Sequence, residues 1–142
     1  MKTSKIISVG VIVWIVSGVF GWLTCGWLFN WVYTIPPIIW KNPEAMMNGL
    51  NMLGVNIVGL AASIIFAGVF SLLYNGIPGK GVKKGMNYGL LLWLVATLHG
   101  VATMPFYMTI STTVIIYWLI QGLVINLING AIVGALLKKK VD

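Results

Sequence analysis

The sequence predicts an all-α membrane protein: four transmembrane helices in an up-down bundle, both termini cytoplasmic, one domain over residues 1–142. Three observations predict it. The chain is 59% hydrophobic and only 8% charged, a balance outside the range of soluble domains. Four apolar stretches, near 6–29, 46–74, 87–104 and 111–137, approach or exceed the roughly 20 residues that cross ~30 Å of hydrocarbon at ~1.5 Å per residue. All nine positive charges are lysines, and they are unevenly distributed.

Lys2 and Lys5 precede the first stretch, Lys80, Lys83 and Lys84 separate the second from the third, and Lys138, Lys139 and Lys140 follow the fourth. The remaining connections carry Lys41 with Glu44, and no charge at all. By the positive-inside rule the termini and the 2–3 loop face the cytoplasm. The net charge of +7 then reflects topology and contact with anionic headgroups; nucleic-acid binding does not follow from it.

The first stretch follows Lys2 and Lys5 as a signal peptide would, but it is too long and lacks a small-x-small cleavage site, so a retained helix is expected. Trp22-Leu23-Thr24 before Cys25 is also a poor lipoprotein box. Ser17, Gly21 and Cys25 recur every four residues, a strip where another backbone can approach. Trp22, Trp27, Trp31 and Tyr33 gather at the outer end, where aromatic rings prefer the headgroup level. A single cysteine forbids an internal disulfide.

Pro36, Pro37 and Pro43 exclude a continuous helix through the first outer connection. Its Ile38, Ile39 and Trp40 are too apolar for a freely solvated loop, which leaves a bilayer-surface segment, a cap on the bundle or a binding lid. The second stretch repeats Gly59, Ser63, Ala67 and Ser71 at helical spacing, a packing seam. Asn48, Asn51 and Asn56 fall in its outer half, where amides are expected to need partners across helices.

Gly76, Pro78, Gly79 and Gly81 mark a tight reversal. GKGVKKG lacks the spacing and the preceding strand of a phosphate loop, so it reads as a basic turn. The third stretch carries Gly85 and Gly89, then Trp93, Ala96, His99, Gly100 and Thr103, and ends near Pro105. A short uncharged connection makes it an antiparallel hairpin with the fourth, whose seam is Gly122, Asn126, Gly130 and Gly134, with Gln121 and Asn129 on the neighbouring column.

No Asp, Glu, Lys or Arg lies within these stretches. Their absence disfavours coupled ion transport and voltage sensing, and nothing acidic is present to orient a catalytic histidine. His99 is the sharpest candidate. Residue counting places it level with Asn56 and Gln121, and with Asn126 these are assigned to one polar intramembrane layer, turned inward, where a neutral imidazole would fix helix register. Haem ligation through His99 would need a second axial ligand, and Cu(I) could draw on His99 with Met104 and Met108. Neither is adopted: no catalytic, cofactor or metal site is expected. Helix packing is assigned to Ser17, Gly21, Gly59, Ser63, Gly122, Gly130 and Gly134.

The segments NGIPGKGVKKGMNYGLLLWLV and YWLIQGLVINLINGAIVGALLKK resemble uncharacterised small four-helix integral membrane proteins of prokaryotes. The resemblance covers the second half of the chain; it implies the four-span architecture and no activity. The expected function is therefore a non-catalytic accessory or structural subunit of the prokaryotic cytoplasmic membrane, packed against other transmembrane chains or itself and in contact with membrane lipids. The alternatives are an oligomeric channel or transporter for a small neutral solute, and a redox or metal-associated subunit using His99.

Overall fold

A computed structural model describes residues 2–138. Four helices are long and apolar enough to cross a membrane: α1 (Thr3–Leu28), α2 (Gly49–Leu73), α3 (Gly81–Phe106) and α4 (Thr112–Leu136). No strand occurs among the described residues. Lys139 and Lys140 lie outside them.

Neighbouring helices run antiparallel, and glycine sets how closely they approach. On α1 a Cβ at Gly10 would stand 2.7 Å from the Ile64 Cα of α2, while Gly59 of α2 faces the Trp14 ring of α1. Between α3 and α4 the backbones themselves touch. A Cβ on Gly85 would run into the Gly130 carbonyl, one on Gly89 into the Asn126 carbonyl, and one on Gly134 into the Gly81 carbonyl. Only a residue without a side chain permits this approach. α1 and α4 meet through Ser17 and Asn129, hydrogen-bonded at 2.9 Å.

The spatial order is therefore α2, α1, α4, α3, and α2 meets α3 through Tyr88. The Tyr88 hydroxyl donates to the Phe66 carbonyl at 2.9 Å, and its ring lies between Phe66 and Phe70. Around it Val9, Val13, Ala67, Phe70, Val133 and Leu137 form the main buried core. This core occupies the end of the bundle that holds both termini.

The reversal from α2 to α3 uses glycine at positive φ, +98° at Gly79 and +53° at Gly81. α3 starts at Gly81, earlier than the 87–104 expected, because a lysine need not end an apolar helix when its charge is satisfied. Lys84 is 9% exposed, its Nζ donates to the Tyr74 carbonyl at 2.7 Å and lies 4.5 Å from the centre of the Tyr74 ring.

Candidate functional site

At the opposite end the packing loosens. Residues 52–58 of α2 are exposed on every side, and no atom stands within 4 Å of a Cβ built on Gly49 or Gly54. Here α1 departs from α-helical geometry, with a π-helical segment over Trp22–Leu28 followed by a 3-10 turn over Asn30–Thr34. α3 carries a second π segment over Trp93–Leu98. Such wide turns insert a residue and recur at functional positions.

The π segment of α1 brings Thr24 and Cys25 against α4. Gln121 Nε2 donates to Thr24 Oγ1 at 2.9 Å and to Cys25 Sγ at 2.8 Å, and the Tyr117 hydroxyl is 3.6 Å from the same sulfur. Thr24 also donates to the Phe20 carbonyl at 2.7 Å. The half-buried thiol is thus ringed by an amide and two hydroxyl-bearing side chains, and none of these groups carries a formal charge.

Aromatic side chains extend the cluster into the proline-bearing connection. Tyr33 packs edge-on to Trp40 at 4.6 Å, and Trp40 in turn to Trp118 of α4 at 5.7 Å. Trp40 therefore caps the bundle, whereas Ile38 stays 72% exposed. Burial, and next to it the Cys25 thiol, pushes the Tyr33 phenol well above its ordinary value, so it remains a neutral donor.

Two cavities border this cluster. One, of ≈ 750 Å³, has Cys25, Tyr33, Trp40, Lys41 and Met46 in its lining. The other, of ≈ 370 Å³, lies against Phe20, Thr24, Tyr117 and Gln121. Among the described residues no group of three or more His, Cys, Asp or Glu converges on one point.

The structure does not bring the four residues of the expected polar layer together. Gln121 bonds Thr24 and Cys25, and Asn126 Nδ2 donates to Gly122 of its own helix at 2.8 Å. Asn56 is exposed and its Nδ2 donates to Met52, one turn back, at 2.7 Å. His99 is exposed as well, and its imidazole makes no hydrogen bond among the described residues.

The expectation of an inward imidazole is corrected by the π segment that immediately precedes it. One inserted residue rotates everything beyond it by about 100° at 3.6 residues per turn. Thr97 then meets Gly122, with its Cγ2 2.8 Å from a Cβ built there, while Ala96 and His99 turn outward. Asn48 and Asn51 are corrected in another way. Asn48 caps α2 through the Leu50 N–H at 3.0 Å and Asn51 donates to the Ala45 carbonyl, so both find local partners rather than other helices.

Of the residues assigned to packing, Ser63 of α2 is buried, Gly59 faces the Trp14 ring, and Gly122, Gly130 and Gly134 all face α3. At Gly21 no atom lies within 4 Å of the point a Cβ would occupy. Cys25, Tyr117 and Tyr33 form the centre that residue counting missed. The available signal was the antiparallel pairing of α1 with α4: Ser17 opposite Asn129 places Cys25 opposite Gln121 two turns further on. No protein-family model, curated protein or solved structure matches this chain.

Proposed function

We propose that the chain is a multi-pass protein of the prokaryotic cytoplasmic membrane, an up-down bundle with both termini and the α2–α3 turn inside. It serves as a non-catalytic accessory subunit that packs against another transmembrane chain or a second copy of itself. The orientation is supported by Lys2, Lys5, Lys80, Lys83, Lys84 and Lys138 at the end holding the termini, against Lys41 and Glu44 at the other.

The observation that carries the association is the outward placement of His99 and Asn56. Each lies seven residues inside its helix, counted from Phe106 and Gly49, about 10 Å along the axis. Facing acyl chains there, an imidazole and an amide oxygen lack partners; facing another helix, they act as interhelical hydrogen-bonding groups. An oligomeric path for a neutral solute would draw on these two, the exposed members of the layer, since Gln121 and Asn126 are part-buried within the bundle.

A photo-crosslinking amino acid placed at position 56 or 99 in native membranes tests the reading. Protein adducts of defined mass are expected at both positions and not at Leu72, which is 84% exposed at the other end of α2. Lipid adducts alone at 56 and 99 would sink it. A C-terminal fluorescent fusion that fails to fluoresce, with an alkaline phosphatase fusion that is active, would overturn the orientation.

A further inference from the structure

The larger cavity combines features that the accessory reading does not use. Its ≈ 750 Å³ falls within the roughly 300–1,000 Å³ typical of small-molecule sites. Tyr33, Trp40 and Met46 give it an apolar wall; within its lining Tyr33 lies next to the half-buried Cys25 and against Trp40, whose chain neighbour Lys41 is exposed. No carboxylate lines it, and Lys41 has no ion-pair partner among the described residues. It lies where α1 ends, and the exposed Trp22, Trp27 and Trp31 lie at the same end of that helix, where such rings meet lipid headgroups.

We infer that this cavity binds one anionic amphiphile, with its hydrocarbon chain along Tyr33 and Trp40 toward Cys25 and its phosphate or carboxylate head at Lys41. The pairing follows from the chemistry of the two ends. An apolar slot rewards a hydrocarbon chain by the area it removes from water, and an unpaired ammonium at the rim selects an anionic head over a neutral one. A bilayer lipid and a free single-chain amphiphile share this chemistry.

Because Cys25 is the sole cysteine and lines the cavity, its rate of reaction with N-ethylmaleimide reports occupancy. In phosphatidylcholine vesicles, dodecyl phosphate is expected to slow alkylation saturably, and dodecanol at equal membrane loading is not. Lys41→Gln should raise the half-protecting concentration of dodecyl phosphate about tenfold, the loss of one charge-assisted contact.

Vesicles containing phosphatidylglycerol separate the sources. Slower alkylation there without dodecyl phosphate identifies a bilayer lipid as occupant; protection by dodecyl phosphate alone identifies a free amphiphile. Protection by neither, equal protection by dodecanol, or undiminished protection in Lys41→Gln would overturn the proposal. If the free thiol resists the reagent, native mass spectrometry decides: wild type retains one dodecyl phosphate and Lys41→Gln loses it, whereas equal or absent retention in both overturns the assignment.

Discussion

The two ends of the bundle solve the same packing problem in opposite ways. At the end holding the termini, α3 and α4 touch backbone to backbone at Gly85, Gly89, Gly130 and Gly134, and Tyr88 and Lys84 tie α2 in through carbonyl oxygens. At the other end, wide π turns, aromatic rings and an uncharged hydrogen-bonded cluster around Cys25 replace glycine contact, and α2 stands apart. The first end has no room for change. The second has cavities and outward polar groups, which is why the proposed binding and association are placed there.

Gly130→Leu attacks the tight end directly and carries the largest expected effect. A Cβ at this position already meets the Gly85 carbonyl, and overpacking of this kind costs roughly 1–3 kcal/mol or more. Thermal unfolding in detergent should show a large drop in midpoint or loss of the folded species; an unchanged midpoint would remove the backbone contact from the account.

Lys84→Met keeps the apolar stem but deletes the ammonium that meets the Tyr74 carbonyl. A loss of about 1.5–3 kcal/mol is expected from a hydrogen bond to a charged group, read by the same melt. At the loose end, Gln121→Leu should cost about 1 kcal/mol, the net worth of a neutral hydrogen bond, while raising the rate of Cys25 alkylation. A rate equal to wild type would show that the amide does not shield the thiol.

Gly54→Ala sharpens the comparison by its small size. Nothing lies within 4 Å of the added methyl, so the change should be neutral or stabilise by up to about 1 kcal/mol through helix propensity. Gly85→Ala, the identical chemical change at the tight end, should destabilise. Equal melting shifts for this pair would erase the distinction between the ends.

Much of the helical layout was legible because hydropathy and lysine placement act locally along the chain. The second and fourth apolar stretches, expected over 46–74 and 111–137, appear as Gly49–Leu73 and Thr112–Leu136. The glycine column from Gly122 to Gly134 was also readable, since periodicity alone aligns it on one face. The start of α3 was not, because Lys83 and Lys84 look like loop charges until Tyr74 supplies a carbonyl and a ring.

The site was less legible than the fold. Counting at 3.6 residues per turn assumes an unbroken helix, and the π segment at Trp93–Leu98 defeats that assumption for His99. The cluster at Cys25 depends on which helices pair and at what register, which no single stretch encodes. Trp40 reaches Trp118 across a large gap in sequence, a contact set by how the proline-bearing connection folds back.

The wide turn in α3 also makes azimuth a matter of chain length. Deleting one residue between positions 93 and 98 would remove the insertion: the stretch would wind uniformly, and the imidazole would keep its outward azimuth while the glycine contacts before it keep their places. Regular winding at the present length, by contrast, would swing this ring by roughly a quarter turn from the perimeter toward α4, with no change in the chemistry of any side chain.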